Sequence, residues 1–380
     1  MQDIYMKLFN KLLILRKKLD LYNINYDSSY IDSLTINQTI SSNTVNNLYI
    51  IFQKWKKLLI NTKNNKNNII DNSLSLYNNI KNIQYLRPKN KNIYITEKHG
   101  ITYIFPLLLM KYGFFGSSEN FINKALYSYV AKKVINKANK KFKNNKECKK
   151  KIEKFINEHN FTLEQKNEIK NKDLIITNYT NLNDFFIRDI NMNYRNNIMK
   201  NNILYSPADC RCRFIKCINN IKINIKGLDV SLKEIGFDNM IRCNYIMLCR
   251  LIPSDYHKFH SPITGKIIKI TNIKSNINFS VNEMVLPEFN PYTLNTRRII
   301  QIETLYKNII EICFVGATFI SDIKLLPKIG SIIQAGEIIG WFKFGSCIIL
   351  KLNNIQLNEI EIGNEYYAQV KDNIGIVNQF

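Results

Sequence analysis

The sequence predicts an α+β protein in which a helical, partly disordered N-terminal region is followed by a mostly antiparallel β core. Apolar residues recur at helical spacing within residues 117–154. From residue 174 onward the chain changes to short apolar runs broken by Gly, Pro, Asn and Asp, which is typical of strands and turns. Residues 22–92 are rich in Asn and Ser, a composition that disfavours a packed core. These changes in character divide the chain into three regions, which we expect at residues 1–98, 99–172 and 173–380.

Residues 1–98 form an Asn- and Lys-rich, low-complexity extension in which we expect amphipathic helices suited to a membrane surface. Within it, residues 48–60 combine aromatic and aliphatic side chains with several lysines. That composition suits a basic helix lying in a membrane interface, and it equally suits a helix packed on the protein itself.

Residues 99–172 are predicted to be a helical, membrane-associating region, with helices over 118–142 and 146–158. The apolar run at residues 100–110 is much shorter than the ~20 residues that span a bilayer. We therefore expect a protein that attaches peripherally to a membrane rather than one that crosses it.

The formal net charge of +24 indicates attraction to polyanions, either nucleic acids or the anionic face of a membrane. The sequence contains no zinc-finger spacing, no aromatic RNA-recognition motif and no basic region next to heptads. We therefore expect a membrane as the partner and no nucleic acid.

The eight cysteines form no regular disulfide framework, so most of them are expected to be reduced and packed. Cys210, Cys212 and Cys217 are clustered in the sequence, but they lack a fourth ligand and the spacing of a zinc site. The sequence therefore predicts no metal there.

Glycine spacing marks a predicted hairpin within residues 173–380, the β-rich core. It covers residues 328–340 and leads to the strand near Ser346. Because Ser346 stands between an aromatic alternating run and an apolar one, we expect it in a strand or at a strand end.

Five stretches of the C-terminal half resemble motifs of the phosphatidylserine decarboxylase family. They are YTNLNDFFIR at 179–188, YSPAD at 205–209, RLIPSDYHKFHSP at 250–262, VGAT at 315–318 and WFKFGSCIIL at 341–350. The family usually shows Leu-Asn-Glu-Phe-Phe-x-Arg, Ser-Pro-Ala-Asp-Gly, Tyr-His-Arg-Phe-His-Ser-Pro, Val-Gly-Ala and Gly-Ser-Thr or Gly-Ser-Ser at these places. Residues 225–232 resemble a further family segment, which implies a hairpin there. The resemblance begins near Gly100 and is close from Tyr179 onward. It makes residues 173–380 the expected catalytic core.

The resemblance implies a proenzyme that cuts itself between Gly345 and Ser346. In the family the serine becomes a covalent pyruvoyl cofactor, so that the chain would become a β subunit of residues 1–345 and an α subunit of residues 346–380. The pyruvoyl ketone then forms a Schiff base with phosphatidylserine, and loss of carbon dioxide gives phosphatidylethanolamine. Two positions depart from the family pattern, with Cys210 in place of Gly and Cys347 in place of Thr or Ser.

A serine hydroxyl becomes a strong nucleophile when a base takes its proton and a third group orients that base. Asp209, His260 and Ser346 supply such a set in this family context, with His260, held by Asp209, activating Ser346 for attack on the Gly345 carbonyl. His257 is the expected proton donor in decarboxylation.

The two histidines are expected to do different work, because residues three apart in an extended segment face opposite ways. A shared metal is disfavoured, since Pro253 and Pro262 argue against a helix between them.

By analogy with the family, the partners are phosphatidylserine in a membrane, the two subunits of one proenzyme and a second αβ unit in a homodimer. The endoplasmic reticulum is expected ahead of the mitochondrial inner membrane. Two alternatives stay open at this point. One is an unprocessed lipid-binding or scaffold protein, made conceivable by Cys210 and Cys347, and the other is a pyruvoyl decarboxylase of a soluble amino acid.

Overall fold

The structure is a computed structural model of the 380-residue chain. It describes residues 83–87, 90–97, 136, 138–159, 161–169, 179–195, 199–219, 221–225, 227–275, 278–281, 290–317, 323–343, 346–358, 362 and 365–378. The predicted membrane-surface segment at 48–60, the apolar run at 100–110 and most of the predicted helix at 118–142 lie outside these residues.

Strands dominate the described part of the chain. They are β1 Ile83–Arg87, β2 Asn90–Glu97, β3 Ile203–Tyr205, β4 Cys210–Lys216, β5 Lys222–Ile225, β6 Leu228–Ser231, β7 Tyr245–Arg250, β8 Lys258–His260, β9 Gly265–Ile273, β10 Arg297–Thr304, β11 Ile309–Val315, β12 Ile323–Leu325, β13 Ile332–Ile333, β14 Ile338–Phe342, β15 Cys347–Leu352, β16 Ile355–Leu357, β17 Glu365–Ala368 and β18 Asn373–Val377. The helices are α1 Asn145–Glu158, α2 Leu163–Glu168, α3 Leu182–Phe186, α4 Leu232–Ile235 and α5 Pro291–Leu294, with a 3₁₀ turn at Met192–Tyr194. The α+β class with a mostly antiparallel β core is confirmed.

Helix α1 agrees with the helix predicted over 146–158. Its N-terminus is capped by Asn144, whose side chain accepts a hydrogen bond from the backbone of the first turn. Ile152 and Phe155 on one face are buried, and Phe155 meets the rings of Phe185 and Phe186 from α3 edge-on. This aromatic contact joins α1 to α3, in the segment that precedes β3. No helix in the described part of the chain is long and apolar enough to cross a membrane.

A ten-stranded sheet forms the centre of the fold, in the order β13-β9-β10-β11-β15-β7-β4-β17-β1-β2. Its pairs are antiparallel except for β1 with β17. Strand β15 lies between β11 and β7 and is buried along its whole length, which explains why its sequence is apolar except at Lys351. The ammonium of Lys351 pairs with buried Glu311 of β11 at 2.8 Å.

Smaller sheets pack beside the large one, in the orders β12-β14-β8, β16-β18-β3 and β5-β6. The predicted hairpin at 225–232 is confirmed as β5 and β6, and Gly227 has the positive φ of +86° that its turn requires. The predicted hairpin at 328–340 is wrong. Strand β13 pairs with β9, whereas β14 pairs with β12 and β8, because each strand finds a better partner elsewhere in the fold.

Candidate active site

Three loops meet at the C-terminal end of β7 and the start of β4. Residues 206–209 precede β4, residues 251–257 connect β7 to β8, and residues 369–372 connect β17 to β18. The backbone N–H of His260 donates to the carbonyl of Pro207 at 2.8 Å, and that of Ser206 donates to the carbonyl of Asp372 at 2.8 Å. These bonds bring the loop that ends in Asp209 alongside the segment that carries both histidines.

Asp209 is buried and held by a buried arginine. Arg195 donates through Nη1 to Oδ1 of Asp209 at 2.8 Å and through Nη2 to Oδ2 at 2.9 Å. The same guanidinium donates through Nε and Nη2 to both oxygens of Glu168, at 2.6 and 2.7 Å. The backbone N–H of Val370 adds a further bond to Asp209, at 2.9 Å. One cation is therefore shared by two buried carboxylates.

Burial disfavours the ionised forms of Asp209 and Glu168, whereas their contacts with Arg195 favour those forms. Burial alone would raise the pKa of Asp209, but the charge and hydrogen bonds of Arg195 outweigh it and hold that pKa below its usual range. Burial likewise raises the pKa of Glu168, here against the pull of Arg195. The ionised form of Asp209 is thus favoured more strongly than that of Glu168.

Removing the shared cation tests the weight of this cluster. We expect Arg195→Met, made in a Ser346→Ala chain so that one intact polypeptide is compared, to lower the free energy of unfolding by about 3–5 kcal/mol, because two buried carboxylates lose their partner. Chemical denaturation at neutral pH measures it. Lys222→Met is the matched control, since the Lys222–Asp229 pair is half-exposed and contributes little to stability. Equal losses in both variants would contradict the assignment.

His260 lies at the end of β8 and has both ring nitrogens engaged. Nδ1 is 2.7 Å from the carbonyl of Gly336, so it carries the proton and donates. Nε2 is therefore the acceptor, and it accepts a hydrogen bond of 3.2 Å from the hydroxyl of Tyr256. Burial lowers the pKa of His260 to about 4, partly offset by the Gly336 carbonyl and by the negative charge of Asp209. The imidazole is neutral at pH 7, with its basic nitrogen at Nε2.

His257 is fully buried in a different environment. Its Nδ1 donates to the carbonyl of Asp255 at 2.9 Å, and its ring lies 4.0 Å from that of Phe186, centroid to centroid. Nε2 has no hydrogen-bond partner among the described residues. Burial, aided by the positive charge of Arg188, lowers the pKa of His257 to about 3 and outweighs the hydrogen bond to the Asp255 carbonyl, which acts in the opposite direction. The two histidines therefore have separate partners, as their spacing predicts.

Ser346 immediately precedes β15 and is completely buried. Its carbonyl accepts a bond of 3.0 Å from the backbone of Leu251, just beyond the end of β7, so the strand pairing of β15 with β7 continues through this residue. Its hydroxyl has no partner among the described residues. The expected strand-end position is confirmed, and Gly345 lies outside the described residues.

Asp209, His260 and Ser346, the predicted catalytic relay, are thus assembled only in part. Asp209 bonds to Arg195 and Val370, while His260 bonds to Gly336 and Tyr256. No direct hydrogen bond joins Asp209, His260 and Ser346 among the described residues, although the charge of Asp209 acts on both imidazoles. Their roles in a relay stay predictions.

The two departures at cysteine fit the backbone without strain. Cys210 begins β4, and it is not among the described residues with positive φ, so a side chain in place of the family glycine meets no left-handed backbone. Cys347 begins β15 in register with Arg250 of β7 and Val315 of β11. Cys217 is bonded to Cys243, and the other six cysteines are buried and form no disulfide within the described residues.

Sequence reasoning missed the groups that hold the site. Arg195 and Glu168 lie outside the five stretches that resemble the family, and only the general need of a buried carboxylate for a counter-charge could have suggested a partner for Asp209. Asp255 precedes the two histidines and accepts Nη1 of Arg211 at 2.7 and 2.5 Å, which anchors their loop to β4.

Comparison with known proteins gives a consistent result. The sequence model of the phosphatidylserine decarboxylase family matches residues 182–373, slightly more than half of the chain. A phosphatidylserine decarboxylase proenzyme of Francisella tularensis subsp. novicida is 29% identical over 280 residues, which cover 67% of this chain and 95% of that protein. Phosphatidylserine decarboxylase proenzyme 2 of Komagataella phaffii is 33% identical over 191 residues, covering 47% of this chain and 19% of that protein.

Proposed function

Because the chain belongs to the phosphatidylserine decarboxylase family and is an enzyme of that type, we propose that it is made as a proenzyme that cuts itself between Gly345 and Ser346. The new N-terminus at Ser346 becomes a pyruvoyl group, and the mature enzyme converts phosphatidylserine to phosphatidylethanolamine. Residues 1–345 and 346–380 then remain together as β and α subunits.

The observation that carries this proposal is the buried hydroxyl of Ser346, which has no hydrogen-bond partner in the part of the chain that the structure describes. Leaving a buried hydroxyl without a hydrogen bond costs about 1–3 kcal/mol, so such groups are rare unless they have a task. This one stands where the sequence resembles the family's cleavage site. A nucleophilic hydroxyl that bonds to its base only when the reaction begins explains this arrangement.

His260 supports the role of that base. It is neutral at pH 7, and its proton on Nδ1 leaves Nε2 as the site that accepts a proton. The hydroxyl of Tyr256 occupies Nε2 in this structure, so Tyr256 must release it before Ser346 can transfer its proton. Asp209 supports His260 through its charge, which favours the imidazolium that forms.

Self-cleavage and formation of the ketone use groups of the chain itself and one water molecule. The Oγ of Ser346 attacks the carbonyl carbon of Gly345 and gives its proton to His260. The C–N bond of the peptide breaks, the amine of Ser346 takes up a proton, and an ester remains. Loss of the Cα proton of Ser346 then expels the carboxylate of Gly345 and leaves dehydroalanine, which one water molecule converts to a ketone with release of ammonia.

The pyruvoyl group supplies a ketone that condenses with a primary amine and withdraws electrons when carbon dioxide leaves. The described residues fit such a group, because the Nε2 atom of His257 is buried and unpartnered in the same loop assembly. His257 is neutral in the uncut chain. To return a proton to the substrate it must first gain one, and an anionic substrate beside it would raise its pKa and favour that gain.

Mass spectrometry of the purified chain together with a decarboxylation assay tests the proposal. We expect two polypeptides that meet at residues 345 and 346, an α subunit that lacks a free N-terminal amine, and conversion of phosphatidylserine in vesicles to phosphatidylethanolamine. An uncut chain that binds lipid would instead identify a scaffold protein. A cut chain that decarboxylates only free amino acids would identify an enzyme for a soluble substrate.

The pH dependence of self-cleavage tests His260 as the base. An ordinary histidine has a pKa of 6.5, whereas that of His260 is lowered to about 4. The neutral form is needed, so the cleavage rate should be flat between about pH 8 and pH 6 and should fall only towards about pH 4. Quenched time points on a denaturing gel measure the rate, and a decline centred near the ordinary value would contradict the prediction.

Stability must be followed in the same series. The unfolded chain takes up a proton on this histidine near 6.5, while the folded chain does so only near 4, so stability is present above 6.5 and is lost as the pH falls between the two values. Circular dichroism at each pH separates slow cleavage from unfolding.

The remaining partners are proposals of the same kind. We infer peripheral attachment to a membrane that contains phosphatidylserine, most simply that of the endoplasmic reticulum, a homodimer of the αβ unit and no nucleic-acid partner. The net charge of +24 supports attraction to an anionic lipid surface.

A further inference from the structure

A cleft of about 480 Å³ opens beside the loop that carries His257. Its walls include Arg188 and Asp189 from the segment after α3, Lys258 from β8 and Trp341 from β14. Trp341 and Lys258 are directly paired in the antiparallel ladder of β14 with β8. These residues all belong to the described part of the chain, and the cleft lies between the segment after α3 and the β8–β14 pair.

Arg188 is a buried cation with unused donors. Its Nη2 donates to the carbonyls of Ser254 and Asp255 at 2.8 and 3.1 Å, but Nε and Nη1 have no partner among the described residues. The guanidinium lies 4.8 Å from the ring centroid of Phe161 and 5.2 Å from that of Phe185. Aromatic faces do not satisfy N–H donors as an oxygen would, so this arginine can bind an anion better than it binds its present surroundings.

Lys258 is the second cation of the cleft. Its ammonium pairs with Asp189, whose side chain is 66% exposed. The Lys258 side chain is 16% exposed, so only the carboxylate of this pair is well exposed, and an incoming anion can replace that carboxylate at small cost. Asp184, the other acid lining the cleft, is already bonded to the backbone and hydroxyl of Thr180. Lys258 and the buried Arg188 thus line the same cleft as two cations that one anionic ligand could share.

We propose that this cleft binds the phosphodiester of the substrate head group through Arg188 and Lys258, an inference that rests on the proposed function. The carbonyl of Asp255 accepts bonds from both Arg188 and His257, so one atom fixes the cation and the imidazole next to each other. In phosphatidylserine only an ester oxygen and a methylene separate the phosphorus from the reacting carbon. A phosphate at Arg188 therefore brings that carbon near His257.

The phosphodiester is the better ligand than the carboxylate of the same head group. A cation bound to the carboxylate would stabilise the charge that must leave as carbon dioxide, and it would slow the reaction. The phosphodiester keeps its charge throughout the reaction, so a cation bound to it stabilises the ground state and the transition state equally. Such binding lowers KM and leaves kcat unchanged.

Binding is tested on the full chain carrying Ser346→Ala, so that the result does not depend on cleavage or turnover. Calorimetry with glycerophosphoserine, glycerophosphoethanolamine, inorganic phosphate and free serine is the measurement. We expect both diesters to bind and serine not to bind. Lys258→Gln and Arg188→Gln should each weaken diester binding by about tenfold to a hundredfold, the effect of a lost charge-assisted bond. Binding of inorganic phosphate without either diester would overturn the proposal.

Activity gives a second, independent readout in the otherwise unchanged chain. Lys258→Gln should raise KM for phosphatidylserine vesicles about tenfold, far more than it lowers kcat, and should leave self-cleavage intact. Lys324→Gln is the matched control, because Lys324 is exposed on the neighbouring strand β12 and does not line the cleft. If Lys258→Gln behaves like Lys324→Gln in both assays, the assignment is wrong even if Arg188→Gln fails to fold. Failure of the proposed function would look different, as no cleavage and no decarboxylation in the unchanged chain.

Discussion

Replacing Ser346 with alanine is expected to leave the chain at its full 44.7 kDa and to abolish release of carbon dioxide from phosphatidylserine. The substitution removes the only oxygen that the proposal uses to attack Gly345, and with it the atom that becomes the ketone. Because this hydroxyl is buried without a partner among the described residues, its loss should leave the free energy of unfolding unchanged or slightly higher. Intact mass and an assay of phosphatidylethanolamine measure the two effects.

The neighbouring thiol supplies the sharpest control for this experiment. Cys347 is buried at the start of β15, directly after Ser346. Cys347→Ser restores the Gly-Ser-Ser pattern that the family usually shows, and it should cut itself like the unchanged chain. Cleavage that persists in Ser346→Ala and disappears in the double variant with Cys347→Ala would show that the thiol is the nucleophile, contrary to the proposal.

Local patterns in the sequence predict the parts of this fold that depend on local chemistry. The helix over residues 146–158 follows from its periodicity, whereas the β5–β6 hairpin is implied by the resemblance, and Gly227 has the positive φ that its turn requires. The hairpin over residues 328–340 fails because glycine spacing says where a chain turns but not which strand it meets. Strand β13 pairs with β9, and this pairing depends on side-chain packing in the core and not on the turn.

The same division holds for the site. The residues that do chemistry stand in recognisable stretches, because their types and spacing are fixed by what they do. Arg195 and Glu168 stand in no such stretch, since any segment that brings a guanidinium to Asp209 would serve. Nor does the sequence show that Tyr256 occupies Nε2 of His260, which only the three-dimensional arrangement reveals.

His260→Ala and His257→Ala are expected to fail at different steps. Loss of His260 removes the base for Ser346, so self-cleavage should slow by about 10²–10⁴-fold and the chain should stay uncut on a denaturing gel. Loss of His257 should leave cleavage largely intact, because this imidazole bonds to Asp255 and packs on Phe186, away from the contacts of His260. Decarboxylation by the cut His257→Ala enzyme should nevertheless fall by a similar factor, since no group remains to return the proton.

The two variants are compared most sharply in matched pairs. Alanine leaves a cavity against Phe186 at position 257, so His257→Phe, which refills that space without a titratable nitrogen, separates lost packing from lost proton transfer. His260→Gln keeps a side-chain donor for the Gly336 carbonyl but has no base of comparable strength. Should His257→Phe turn over substrate normally, or should both alanine variants stay uncut to the same extent, the assignment of cleavage to one imidazole and protonation to the other would have to be given up.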